Sequence, residues 1–432
     1  MTGRRRGRRL LLASVALLAL AVPTLMPAAP AVAAPGPSEA PEWWFDSWQV
    51  PTLWGGGADG HGITIAVIDT GVQASVPELS GKVLPGADFI GNGTDGRTDF
   101  DAEGFSHGTA MASIMVARPG LGNIEGLAPN AQILPISVPL HGVVSHGTPT
   151  PNATSTAINW AADHGAKIIS MSLGGVRDEE EDGPDPCPAG VQQAVLHALR
   201  KGALVVAASG NSGDANSPVE EPGVCLGVVS VGAVDRNLDV ASFSSRHPYL
   251  TLSAPGEAIP TLSRDSAYIG DGTSQATAMT SAALAMVWSK YPTETGRQIL
   301  TRVLDTATDR GPKGRDAAYG VGVINPEAAI SAGVPAATAA NEVFDGVAPL
   351  LASHTTTSTL KPAKLPAITR QFPGGDYRVS ADSGAPPSRV VLLGALAVAL
   401  LALAVVALVV ALRPARAPSA QTVPGWTGPQ WP

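Results

Sequence analysis

An α/β fold, built on a mainly parallel sheet with helices on both faces, is what this 432-residue sequence predicts. Two observations carry the prediction. Between Gly62 and Ala332, short apolar runs alternate with longer stretches of helical periodicity. The runs are also too continuous for strands with one wet face, so the sheet is expected to be covered on both sides. A span of about 270 residues is large for one domain but suits this architecture.

In chain order, strands are expected at Ile63–Asp69, Ile133–Ser137, Ile168–Leu173, Leu204–Ser209 and Leu226–Val234. Helices are expected at His107–Ala117, Thr154–His164, Gly190–Lys201 and Ala276–Trp288. Asp69 closes the first strand, Leu173-Gly174 follows another, and Gly210-Asn211 follows a third. Open α/β sheets bind ligands beyond the carboxyl ends of their strands, so these turns mark the expected site.

Three segments supply the chemistry. They are Val67-Ile68-Asp69-Thr70-Gly71, Ser106-His107-Gly108-Thr109 and Asp271-Gly272-Thr273-Ser274-Gln275-Ala276-Thr277. A serine hydroxyl is a weak nucleophile until a base takes its proton, and that base needs an orienting partner. His107 is the candidate base, Asp69 its partner and Ser274 the nucleophile. Ser274 precedes an apolar helical stretch, so its N–H would lie at a helix N-terminus, where partial positive charge suits a developing oxyanion. Ser145-His146-Gly147-Thr148 repeats the histidine string. It runs into Pro149-Thr150-Pro151, which cannot continue a helix, so His146, like His141 and His61, reads as a loop residue.

At these motifs, in the order Asp, His, Ser, the chain resembles the subtilisin-like serine proteases. The resemblance implies a subtilisin-like three-layer fold and an Asp69–His107–Ser274 triad. It implies an oxyanion hole from the Asn211 side chain, within Ala208-Ser209-Gly210-Asn211-Ser212-Gly213, and the Ser274 N–H. Ser172-Leu173-Gly174 and Ala208-Ser209-Gly210 would then wall the primary pocket for an extended polypeptide substrate. No cofactor is implied and no metal cluster is recognisable, although subtilases often hold structural calcium through loop oxygens. The acidic run Asp178–Asp182 after the first wall reads as a solvated loop.

The ends of the chain speak of export. Arg4, Arg5, Arg6, Arg8 and Arg9 precede the apolar run Leu10–Val22, and Ala31-Val32-Ala33 offers a cleavage site. Residues 1–33 therefore read as a signal peptide, the alternative being an uncleaved anchor. Residues 34–61 carry Trp43, Trp44, Phe45, Trp48 and Trp54, too few to fold unaided. They read as an aromatic extension clamped onto the catalytic domain, 62–332, rather than as a cover over its cleft. Residues 333–389 read as a Pro/Thr/Ala-rich linker. Val390–Leu412 holds no charge and no proline, and ~1.5 Å per residue lets it cross a ~30 Å hydrocarbon core. Arg413 and Arg416 assign 413–432 to the cytoplasm. The net charge of −8 argues against nucleic acid as a partner. Cys187 and Cys225, an even pair in an exported chain, read as a disulfide, with two buried thiols as the alternative.

Signal, short extension, linker and C-terminal span together resemble the mycosins, membrane-anchored subtilases of actinobacterial type VII secretion systems. That resemblance implies a cell-membrane protease with its catalytic domain outside, processing secreted proteins and associated with the secretion membrane complex. Two features depart from it: Ala278 stands where the family's serine motif usually has Pro, and a second disulfide is missing. Two other readings compete, a scaffold of the secretion complex whose proteolysis is dispensable and an anchored housekeeping subtilase.

Overall fold

The computed structural model describes residues 42–353, except 103, 121–123, 141, 177–184 and 214–216, and the backbone of 371–372 and 375–376. The expected signal peptide, membrane span, tail, most of the linker, His141 and the acidic run lie outside the described residues. Among the described residues, no helix is long and apolar enough to cross a membrane.

The helices are α1 (Trp44–Ser47), α2 (Val50–Gly55), α3 (His107–Val116), α4 (Ala153–Asp163), α5 (Ala189–Arg200), α6 (Thr273–Lys290), α7 (Gly296–Asp305), α8 (Pro326–Ser331) and α9 (Glu342–Ser353). The strands are β1 (Thr64–Asp69), β2 (Ala87–Asp88), β3 (Gln132–Ser137), β4 (Ile168–Met171), β5 (Gly175–Val176), β6 (Leu204–Ala208), β7 (Glu220–Glu221), β8 (Val228–Val234), β9 (Leu252–Pro255), β10 (Ile259–Leu262) and β11 (Ala267–Gly270).

Seven strands form the main sheet in the order β2-β3-β1-β4-β6-β8-β9, every neighbour parallel. The chain leaves β1 toward β3 on one side and later returns to β4 on the other, so the order reverses beside β1. A crevice opens at such a reversal, beyond the strand ends. Side chains alternate across the sheet. Ile65 and Val67 join the cluster under α3 and α6, while Ala66 and Ile68 join the cluster under α4 and α5. Both faces are thus buried, giving the three layers that the continuous apolar runs require.

The five expected strands and four expected helices are present, with ends shifted by a few residues. β8 begins two residues late because Gly227 turns the chain at φ 88° against α5, where a methyl group would meet Leu199 Cδ1 at 2.6 Å. One expectation needs correcting. The linker does not begin at 333, because Val343, Val347 and Leu350 of α9 are buried and α9 packs on α5. Gly346 and Pro349 dilute the helical signal there, while Arg297–Asp345 at 2.7 Å and Arg315–Glu342 at 2.8 Å hold the helix down.

The aromatic extension is part of the core. Trp43, Trp44 and Trp48 share the cluster of α3 and α6, and the Trp54 indole donates to the Leu127 carbonyl at 2.9 Å. Cys187 and Cys225 form a disulfide with Cα atoms 5.2 Å apart, joining the start of α5 to the turn before β8. Below α6, Arg302 is buried beside Glu294, with Nε–Oε2 at 2.7 Å and Nη2–Oε1 at 2.5 Å, and it stacks 3.9 Å over Tyr291. Removing one member of such a pair strands the other charge in the interior. Arg302→Ala is therefore expected to lower stability by ~3–5 kcal/mol in urea denaturation; a loss below ~1 kcal/mol would show the pair to be solvated in practice.

Candidate active site

Asp69 ends β1 fully buried. The turn after it is sharp: Gly71 has φ 103°, and any side chain there would collide with the Thr98 carbonyl. Gly108 faces the same turn, where a methyl group would collide with the Gly71 carbonyl. These two glycines let the first turn of α3 rest directly on the end of β1. His107, the first residue of α3, consequently brings Nδ1 to 2.8 Å and 3.0 Å from the two Asp69 carboxylate oxygens. Ser106 before it is left-handed, at φ 51°, which aims the helix start into the crevice.

A carboxylate that the motifs did not reveal fixes this arrangement. Buried Asp99 accepts the Thr70 hydroxyl at 2.8 Å, the Thr109 hydroxyl at 2.6 Å and the Thr109 N–H at 2.9 Å. Thr70 Oγ1 in turn accepts the Gly108 N–H at 2.9 Å, and Asp101 Oδ2 accepts the His107 N–H at 3.1 Å. The strand end and the helix start are thus tied through one buried group. Asp99 and Asp101 lie in a polar loop with no periodicity; only their position eight and six residues before His107 could have flagged them.

Ser274 is the second residue of α6. Its hydroxyl donates to the Ser172 carbonyl at 3.1 Å rather than to His107, and the Ser172 hydroxyl donates back to the Ser274 carbonyl at 2.9 Å. Asn211 follows β6 and the left-handed Gly210. Its Oδ1 accepts both the N–H and the hydroxyl of Thr273, each at 2.8 Å. With the oxygen engaged, the amide nitrogen is the edge left to donate beside the Gly272–Ser274 turn. Thr273 Oγ1 also accepts the Gly210 N–H at 3.3 Å, fastening the β6 turn to α6. Ser172-Leu173-Gly174 and Ala208-Ser209-Gly210 leave adjacent strands β4 and β6 and flank the crevice. His146 sits instead on an exposed loop, its N–H bonded to Asn92 Oδ1 at 2.6 Å.

Burial opposes charge on His107, but the Asp69 carboxylate, then Asp99 and Asp101, outweigh it and push its pKa up to about 9. Its side chain keeps 31% of its surface accessible, so water screens part of that field. Among the described residues, no group of three or more His, Cys, Asp or Glu gathers as metal ligands.

The Peptidase S8 pattern of the subtilase family matches residues 60–322. Subtilisin DY of Bacillus licheniformis is 36% identical over 276 residues, 63% of this chain and 92% of that protein. Thermitase of Thermoactinomyces vulgaris is 38% identical over 231 residues, 53% of this chain and 75% of its own length. Among solved structures, MycP1 from Mycobacterium smegmatis superposes with a TM-score of 0.56 at 28% identity, covering 68% of this chain and 85% of that one. The MycP3 protease from the type VII (ESX-3) secretion system gives 0.56 at 30%, covering 68% and 88%. The chain belongs to the subtilase family. It is a subtilisin-like serine endopeptidase, and mycosins are among its structural neighbours.

Asp99→Ala should remove the acceptor for several buried donors, each left unsatisfied at ~1–3 kcal/mol. The expected result is a loss of stability above ~2 kcal/mol with retained α/β circular dichroism. A stability loss near zero would mean that Asp99 does not tie α3 to β1.

Proposed function

We propose that Asp69, His107 and Ser274 are the catalytic triad of a membrane-anchored, extracytoplasmic endopeptidase that acts on extended polypeptides. The observation that carries this is the pairing of the buried Asp69 carboxylate with the partly exposed His107 imidazole at the crevice, with Ser274 at the N-terminus of a long helix beside the Asn211 amide. The Ser274 hydroxyl first turns from Ser172 toward His107 Nε2. The imidazole takes its proton as Oγ bonds to the substrate carbonyl carbon, and Asp69 stabilises the imidazolium. The carbonyl oxygen, now negative, accepts from Asn211 Nδ2 and the Ser274 N–H. Collapse breaks the C–N bond, and His107 hands its proton to the leaving amine. Water then attacks the acyl-enzyme, giving its proton to His107, and the acid leaves as Ser274 Oγ is reprotonated.

The expected signal peptide and the 390–412 span support export and tethering, with 333–389 reduced to a shorter linker after α9. Solved relatives are described as proteases of type VII secretion systems, one as an essential component of the ESX-1 system. We therefore assign this chain to a secretion complex of that type, processing exported proteins. One observation favours a scaffold in which proteolysis is secondary: the Ser274 hydroxyl rests on Ser172 and not on the base. An aryl phosphonate that reacts only with activated serines separates the readings. Labelling of the full chain, absent in Ser274→Ala, is the expected result; a folded chain that is never labelled would favour the scaffold.

Ser274→Ala is expected to lower turnover by ~10⁶-fold and Asn211→Ala by ~10²–10³-fold, while His146→Ala stays near wild type in a peptide assay. Equal losses in His146→Ala and His107→Ala would reverse the choice of base. Because His107 must be neutral to accept a proton, kcat/KM should rise with pH, with its midpoint above the ordinary 6.5 and up to about 9. A plateau already reached at pH 6 would refute the carboxylate field. The sign for stability is opposite. A raised histidine pKa stabilises the fold fully below 6.5, and that contribution is lost as pH climbs through about 9.

A further inference from the structure

The turn before β8 holds a carboxylate that neither the motifs nor the catalytic steps use. Glu220, the first residue of β7, pairs with Val176 of β5, so β7 lies beside the segment that continues from Ser172-Leu173-Gly174. Its side chain reaches the crevice between the two flanking segments. A methyl group on Gly174 would come within 2.5 Å of Glu220 Oε2, and one on Gly210 would collide with Oε1. The carboxylate therefore lies between Gly174 and Gly210, one from each wall.

Glu220 is 8% exposed, and no cation or hydrogen-bond donor among the described residues acts on its carboxylate. Its polar ties run through the backbone: the Glu220 N–H donates to the Tyr249 hydroxyl at 3.3 Å, and its carbonyl accepts the Val224 N–H at 3.1 Å. Burial alone pushes its carboxyl up to about 7. A buried carboxylate is ordinarily neutralised by a partner, and here none is supplied by the described residues. The two glycines make room for it, at positions where any larger residue would expel it.

We propose that Glu220 is a specificity-determining residue that selects substrates with lysine or arginine immediately before the scissile bond, a reading that rests on the assignment of Ser274 as nucleophile. Gly174 lies two residues along from Ser172, whose carbonyl receives the Ser274 hydroxyl, and an extended chain advances ~3.3 Å per residue. Glu220 therefore stands at the depth that a long cationic side chain reaches from the reacting carbonyl. Its three or four methylenes would run between the backbone walls, and its charged end would meet the carboxylate.

The test uses the purified full chain at pH 8 and three peptidyl aryl phosphonates that differ only in the residue before phosphorus: lysine, norleucine or alanine. The expected result is that the lysine probe labels wild type ~10-fold or more faster than norleucine, and that Glu220→Gln brings the ratio close to one. Equal or faster labelling by norleucine overturns the proposal while leaving the protease reading intact. Fastest labelling by alanine, with norleucine gaining in Glu220→Gly, would show that the side chain is a plug and would also overturn it. No labelling by any probe removes the nucleophile assignment and this inference with it. If Glu220→Gln fails to fold, the wild-type ratio alone decides, together with its fall in high salt, which weakens a charge pair but not an apolar fit.

Discussion

The direct seating of α3 on the end of β1 governs the geometry of this protein. Helix and strand can approach this closely because Gly71 and Gly108 put bare backbone against backbone. Everything chemical at the crevice follows. His107 is the first helical residue, so its ring projects back over the strand end, where Asp69 waits at 2.8 Å. Asp99 then gathers Thr70 from the strand side and Thr109 from the helix side into one buried network. A side chain at either glycine would move the helix and with it the imidazole. Displacements of that order are costly where catalysis depends on alignment.

The second half of the site is built by different means. α6 is buried almost throughout and packs on β4, β6, β8 and β9, with Ala276, Ala278, Ala282, Ala283 and Ala285 keeping it near the sheet. Two hydroxyls fasten its start, Thr273 to Asn211 and Ser172 to the Ser274 carbonyl. Ala278, where the family usually has proline, keeps an N–H four residues after Ser274, as the helical ladder asks. The departure thus leaves α6 continuous from Thr273 to Lys290.

The parallel sheet and the four helices around it could be read from the sequence because each is a long run with one dominant pattern. The Asp69, His107, Asn211 and Ser274 turns were legible for a separate reason, since glycine and threonine beside them announce special backbone. β9, β10 and β11 carried no such signal: each has four residues, broken by Gly, Ser and Pro, too short for a period to emerge. Asp99 and Glu220 were illegible because a carboxylate in a polar loop looks solvated until long-range contacts bury it. The tryptophan cluster gave the attachment of residues 42–55 to the domain, but not that the attachment runs beneath α3 and α6.

How the fold treats buried charge separates structure from function. Arg302, fully enclosed, and Glu294, buried beside it, answer each other, with Tyr291 stacked against the guanidinium. Asp99 is surrounded by hydroxyl and backbone donors, with no cation bonded to it among the described residues. His247, stacked on Tyr249 at 4.4 Å, is driven by burial to about 4 and stays neutral. Glu42, raised to about 7 by its burial, still accepts the Glu125 N–H. Among the described residues the Glu220 carboxylate meets none of these remedies, although Gly174 and Gly210 leave room for it. An interior built from packing alone would gain by replacing it with an apolar residue of similar size. On the proposal made for it, its place between Gly174 and Gly210 is that of a site left open for a cation that arrives with the substrate.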